Sequence, residues 1–310
     1  MDLNSKIYVA GHRGLVGSAL VRKLQSDGCV NLLMKTRDEL DLLNFTAVQK
    51  FFSTEQPEFV FLAAAKVGGI YANNTHGADF IYENLIIQNN VVKSAHDFGV
   101  KKLLFLGSSC IYPRNCPQPI KEEYFLEGRP EETNNPYAAA KIAGILMCQA
   151  FHKQYGDNYI SVMPTNLYGP NDNFDLETSH VFPALIRKFH EAKTNNSPSV
   201  TVWGTGTPFR EFLHADDLAE ACVHLMNTYD DPSIVNIGTG VDISIKDFAE
   251  LIKDVVGYKG QIVWDNSKPD GTPKKLLDVS KVKNLGWRAK IELRKGVERT
   301  YREYQSEAAA

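Results

Sequence analysis

The sequence has no uninterrupted apolar run approaching the roughly 18–20 residues that a membrane-spanning helix requires. Membrane insertion is therefore not expected. No low-complexity tract or internal repeat stands out, which sets aside fibrous and solenoid architectures. Neither sign of charge dominates: 34 Lys and Arg against 37 Asp and Glu leave a net −3. A chain so balanced has no bulk attraction for nucleic acid or an anionic membrane. Cysteine is scarce. Cys29, Cys110, Cys116, Cys148 and Cys222 are odd in number and irregular in spacing, which argues against a disulfide framework and a zinc ribbon. No metal site is expected, and a reducing, cytoplasmic setting fits. The opening stretch MDLNSKIYVAGHRG enters a strand directly, without the basic and apolar regions of a signal peptide.

What is present is 310 residues at 43% hydrophobic, enough for one large domain or two moderate ones. Short apolar runs alternate with helical patterns. IYVA (7–10), NLLMKT (31–36), FVFLAA (59–64), KLLFLGS (102–108) and ISVMPTN (160–166) read as strands. Residues 15–28, 79–99 and 136–156 read as helices. Strands apolar throughout are buried on both faces, so helices must cover both. The expected fold is α/β: a doubly wound, parallel, Rossmann-type sheet spanning residues 1–166, with ligands at the carboxyl ends of its strands. Beyond residue 166, loops lengthen and Gly, Pro and Asn become frequent. Residues 167–310 are expected to form a smaller α/β substrate-binding domain, with helix 214–227 packing back on the first.

Gly11, Gly14 and Gly17 form G-x-x-G-x-x-G between the first strand and first helix. Such a turn lets the backbone approach a pyrophosphate seated on the helix N-terminus. Arg13 lies in the turn and Arg37 near the end of the second strand. Two guanidinium groups suit the 2′-phosphate of NADP(H). Asp38 could instead serve the ribose of NAD, and the arginines could simply be solvated.

Tyr137 and Lys141 are four residues apart at a helix start, where Asn134 or Asn135 can cap and Pro136 suits the first turn. That spacing puts them on one face. Ser108 ends the preceding strand. Lys141 is expected to draw the tyrosine from about 10 toward neutrality. Tyr137 would then pass a proton to a carbonyl oxygen that Ser108 also holds, as hydride arrives.

GHRGLVGSA, LGSSCIYP, NPYAAAKIAG, SVMPTNLYGPNDNF, VWGTGTPFREFLHADD and KPDGTPKKLLDVS together carry a resemblance that runs almost end to end. The chain resembles the extended short-chain dehydrogenases/reductases that modify nucleotide sugars. Within them it is most similar to the 3,5-epimerase/4-reductases of GDP-4-keto-6-deoxymannose. Dehydratases of that group place an Asp-Glu pair after the serine, where this chain has Ser109 and Cys110. The resemblance implies a GDP-sugar substrate, with Cys110 as base and His180 as acid. It implies cofactor contacts at Leu15, Val16, Leu106, Ser108, Lys141, Pro164, Asn166, Leu167 and His180. It implies substrate contacts at Trp203, at Arg210 on the diphosphate, and at Asp270 and Lys275 near the GDP part. Lys188 stands where the family carries an arginine, keeping the charge without the bidentate fork. The resemblance further implies a homodimer through the helix at 79–99, although monomer packing accounts for that helix equally well. Two other readings are a different NADP-linked nucleotide-sugar epimerase or reductase, and a non-catalytic NADP-binding sensor. A sensor would have no use for Ser108, Cys110, Tyr137, Lys141 and His180 together.

Overall fold

The computed structural model describes residues 1–176, 178–268 and 270–308. Glu177, Ala309, Ala310 and Pro269 of the KPDGTPKK stretch lie outside the described residues. The chain opens with β1 (Ile7–Ala10), α1 (Leu15–Ser26), β2 (Leu32–Leu33), α2 (Phe45–Glu55), β3 (Phe59–Leu62), α3 (Ile70–Thr75), α4 (Gly77–Asp97) and β4 (Lys102–Leu106). It continues with α5 (Asn135–Tyr155), β5 (Tyr159–Pro164), β6 (Asn166–Tyr168), α6 (Val181–Thr194), β7 (Ser199–Trp203) and β8 (Phe209–His214). Then come α7 (Ala215–Thr228), β9 (Val235–Ile237), β10 (Asp242–Ser244), α8 (Ile245–Val256), β11 (Gln261–Asp265), β12 (Lys274–Lys275), α9 (Ser280–Asn284) and α10 (Leu293–Ala308). No described helix is long and apolar enough to cross a membrane.

Six strands make one sheet in the order β2-β1-β3-β4-β5-β9, parallel at every pairing. Every residue of β1, β4 and β5 is buried, because helices cover both faces. The chain order reverses between β1 and β3, which opens a crevice at the carboxyl ends of those strands. The expected strand NLLMKT shrinks to Leu32–Leu33. It lies at the sheet edge and has only β1 to pair with. Beyond it Thr36 is taken by Glu39, whose Oε2 accepts from the Thr36 amide and hydroxyl, both at 2.8 Å, and the chain turns off the edge.

A second sheet centres on β8, which runs antiparallel to β10 and parallel to β12 and β6. β7 and β11 pair separately. Phe182, Phe212, Phe248 and Phe189 belong to a second core, with Phe212 stacked on Phe248 at 3.9 Å. The chain returns from it to the first core. Leu213, Leu218, Cys222, Ile237, Leu277 and Trp287 all pack with the strands of the large sheet. The boundary between the cores therefore crosses the chain several times. Successive residues of a strand face opposite sides, so Phe212 enters one core and Leu213 the other. Glu211, fully buried, accepts from the amides of Gly240 at 2.7 Å and Leu277 at 3.0 Å. It ties β8 to two returning segments.

α5 begins at Asn135 with Pro136 in its first turn, but Asn134 makes no capping hydrogen bond. It ends a short 3₁₀ turn over Glu132–Asn134, and its Oδ1 is buried without a partner. α5 lies against α4, where Gln88 Nε2 donates to the Ala140 carbonyl at 2.8 Å. Gly144 permits the approach: a Cβ there would lie 2.4 Å from Phe105 Cζ and 2.8 Å from Gln88 Oε1. Helix propensity alone would reward alanine by about 1 kcal/mol. Overpacking costs about 1–3 kcal/mol and Phe105 is buried on the sheet, so packing dominates. Gly144→Ala is expected to destabilise the fold, read as a lowered urea midpoint at unchanged m-value.

Candidate functional site

A cavity of about 920 Å³ lies at the carboxyl end of the large sheet and extends under the second. Its cofactor side is built by the turn after β1. Gly11 has φ +82° and its missing Cβ would fall 2.8 Å from the Ala64 backbone, so the turn and the segment after β3 close on each other. The Gly14 amide donates to Gly11 O at 3.1 Å. α1 then starts with no side-chain cap, which leaves its first amides for an anion. Gly11, Gly14, Leu15, Val16 and Gly17 line the cavity here, with Leu106, Pro164, Asn166 and Leu167 on the facing wall.

Arg37 lines the same cavity, and so does Lys35, which the sequence reading passed over although both follow β2 in KTR. Two cations beside a glycine turn and an uncapped helix fit NADP(H). Asp38 is exposed and outside the lining. Arg13 is exposed at the corner of the turn, outside the residues that line this cavity. Its charge is near enough to Glu39 to contribute, last among several causes, to holding that carboxyl down.

The catalytic side follows β4. Ser108 turns the chain into a 3₁₀ turn over Ser109–Ile111 by accepting from the Cys110 amide at 3.2 Å. Lys141, buried on α5, donates to the Leu106 carbonyl at 2.7 Å, and its Nζ sits 5.8 Å from the Tyr137 ring centre. Burial pushes Lys141 down to about 8. Tyr137 is pushed up by burial and by charge on Cys110, against a Ser108 hydrogen bond. The expected pull toward neutrality is therefore reversed in this geometry: Lys141 spends its contact on a carbonyl, and withdrawal from water dominates. A phenol so held keeps its proton until a stronger base, such as an alkoxide, appears beside it.

Cys110 differs from the other cysteines, all of which are free thiols. Burial raises it, yet it is held below the ordinary thiol range. Lys275 Nζ lies 3.4 Å from its sulfur, Ser108 hydrogen-bonds it, and Arg210 adds charge. The sheet register brings these cations together, because Lys275 of β12 pairs with Arg210 of β8. His180 is the N-cap residue of α6 and lines the same cavity. It remains exposed on the cavity wall, yet the surrounding protein withdraws it in part from bulk water and, with the Lys275 charge, pushes it down.

Lys188, Trp203, Arg210, Asp270 and Lys275 all line the far end. Trp203 is 51% exposed, with Lys188 Nζ 5.6 Å from its ring centre. Lys188 also donates to Thr201 O at 3.1 Å. Asp270 accepts from the Thr205 amide at 2.7 Å and the Thr205 hydroxyl at 2.8 Å, so its carboxylate fastens the loop after β7. Asp172, a further lining residue, had no role assigned from the sequence. Asp172 Oδ1 accepts from the Asn173 amide at 2.8 Å, while Oδ2 is buried without a partner. Burial pushes this carboxyl up to about 7. It stands in the quoted stretch YGPNDNF, where local spacing carries no sign of burial.

Arg37→Ala is expected to weaken NADPH binding about tenfold or more while leaving NADH binding unchanged, since only the former carries the 2′-phosphate. Fluorescence titration with the two nucleotides measures it.

With this geometry in hand, comparison with known proteins is informative. Residues 7–238 match the model of the NAD dependent epimerase/dehydratase family. A relative from Arabidopsis thaliana, described as putative GDP-L-fucose synthase 2, is 61% identical over 304 residues, covering 98% of this chain and 93% of its own. The GDP-L-fucose synthase of Escherichia coli K12 is 55% identical over 305 residues, covering 96% of this chain and 95% of its own. Among solved structures, a GDP-mannoheptose C4 reductase from Campylobacter jejuni with NADP bound superposes with a TM-score of 0.91 at 46% identity, over 98% of this chain and 99% of that one. Matched along three quarters of its length by the model and along nearly all of it by these relatives, the chain belongs to the NAD dependent epimerase/dehydratase family.

Proposed function

We propose that this chain converts GDP-4-keto-6-deoxymannose to GDP-L-fucose, by epimerisation at C3 and C5 followed by NADPH-dependent reduction at C4. The observation that carries this reading is one cavity lined by Ser108, Tyr137 and Lys141, by Cys110 and His180, and by cations at both ends. The first core holds the cofactor. The second brings Arg210, Lys188 and Trp203 toward the GDP part.

The substrate ketone at C4 acidifies the C–H bonds at C3 and C5. Cys110 as thiolate takes one of these protons, and Tyr137 and Ser108 stabilise the negative charge that moves onto the ketone oxygen. His180 supplies a proton from the opposite face, which inverts the carbon. Once Cys110 has returned its proton to solvent and His180 has taken one up, the same pair serves the second carbon. Bound NADPH supplies the hydride that C4 receives. Tyr137 gives its proton to the resulting alkoxide, and Lys141 as a cation stabilises the tyrosinate left behind. A cytoplasmic homodimer is part of the proposal. Tyr82 on α4 is 64% exposed and Leu146 on α5 42% exposed, which supports pairing through those helices.

A second reading, a plain C4 reductase, is favoured by the likeness to the Campylobacter enzyme, whose description names that reaction alone. Incubation with GDP-4-keto-6-deoxymannose in D2O without NADPH separates the two. Deuterium at both C3 and C5 is expected, and Cys110→Ala is expected to slow that exchange by about 100-fold or more. NADPH oxidation without any prior exchange would establish the plain reductase.

A pH limb follows from Lys141. Its ammonium is present below about pH 8 and lost above. The reduction rate is therefore expected to fall as pH rises through about 8, and Lys141→Met is expected to lose that limb along with most of kcat.

A further inference from the structure

Lys275 was expected to contact the GDP part of the substrate, yet its Nζ is turned to the Cys110 sulfur at 3.4 Å. The other charged groups around that thiol have different partners. Arg114 and Glu131, which line a small cavity behind Cys110, pair with each other at 3.2 Å. Lys274 pairs with Asp242 at 3.1 Å, and Arg210 Nη1 donates to Phe209 O at 2.8 Å. Tyr137 on α5 is a phenol kept protonated, and His180 at the start of α6 is driven toward its neutral form.

Lys275 is also held from both sides. On one side β12 pairs with β8 in register. On the other, the Leu276 amide donates to Gln118 Oε1 at 2.8 Å, the Ile120 amide donates to Leu276 O at 2.7 Å, and the Asp278 amide donates to Ile120 O at 2.8 Å. Residues 118–120 follow shortly after the turn that carries Cys110, so the ammonium and the sulfur are fixed on adjoining segments.

We propose that Lys275 is a positioning residue of the epimerising step, whose ammonium holds Cys110 Sγ as the anionic base. The inference rests on the reading given under Proposed function. In each inversion a proton passes from C3 or C5 to Sγ, and its electron pair enters the enolate. Lys275 gives and takes no proton. It determines which form of Cys110 meets the substrate.

The test measures the pH dependence of Cys110 alkylation by iodoacetamide, followed on the Cys110 peptide by mass spectrometry, in the full chain. In Lys275→Met the midpoint is expected to rise by about one pH unit or more. Lys275→Arg, which keeps the charge, is expected to stay near the wild type. Arg210→Met is expected to raise the midpoint less, because Arg210 acts without touching the sulfur. The D2O exchange rate at neutral pH should fall with the thiolate fraction in Lys275→Met and recover in part at higher pH. An unchanged alkylation midpoint in Lys275→Met, with KM alone raised, would overturn the proposal and return Lys275 to contact with the GDP part. NADPH binding reports that each variant is folded, and Lys275→Gln serves if the Met variant is not. A shifted midpoint without C3 or C5 exchange in the wild type would leave the Lys275–thiolate pairing standing and remove the epimerising step it was assigned to.

Discussion

A strand presents alternate residues to opposite sides, and in this molecule β8 uses that constraint to hold two cores together. Phe212 points into the second core, Leu213 into the first, and Glu211 is buried between them with backbone amides for partners. A buried carboxylate is costly unless it is hydrogen-bonded. Here its bonds fix the segment that leaves the first core after β9 and the one that returns to it after β12. Arg210, the residue before Glu211 on the same strand, lines the cavity. The strand that joins the cores thus aims a cation at the space between them, and its register with β12 places Lys275 alongside.

Burial does opposite things to the acids and bases of this site. Removing a charge from water favours the neutral form. It raises Tyr137, which must keep a proton to give one, and lowers Lys141 and His180. The thiol would also be raised if burial acted alone. Two opposite charges about 4 Å apart are worth on the order of 4 kcal/mol at an effective dielectric near 20, and Lys275 stands at that range from Cys110. Burial is the largest single influence on this thiol, and Lys275, Ser108 and Arg210 outweigh it only together, whereas Cys148 and Cys222, with no cation among the groups that act on them, are raised. The same ammonium disfavours a protonated His180. One lysine that gives and takes no proton thus favours the deprotonated form of both, so His180 must take up a proton from solvent before it acts as the acid.

Much of this was legible in the residues. Continuous apolar runs need cover on both faces, and their alternation with helical stretches points to a parallel sheet whose crossover helices supply it. The four-residue spacing of Tyr137 and Lys141 puts them on one helix face by geometry alone. The edge position of β2 was not legible, since pairing on one side only is a property of the sheet. Arg13 is similar: it is a cation in the right turn, yet the residues that line the cavity do not include it. Asn134 is a good capping residue by type, yet the 3₁₀ turn before α5 gives its backbone the wrong angle for capping.

The sequence by itself determined which groups are available and which lie near each other along the chain: the glycine turn, Ser108 with Cys110, and Tyr137 with Lys141. Only the tertiary structure decided how those groups ionise and which cation serves which partner. Lys275 lies 165 residues from Cys110, and the Asp270 carboxylate is claimed by Thr205 rather than left free. The reason is physical. Charge and desolvation act through space over a few ångströms, and that distance is set by the register of strands far apart in the chain.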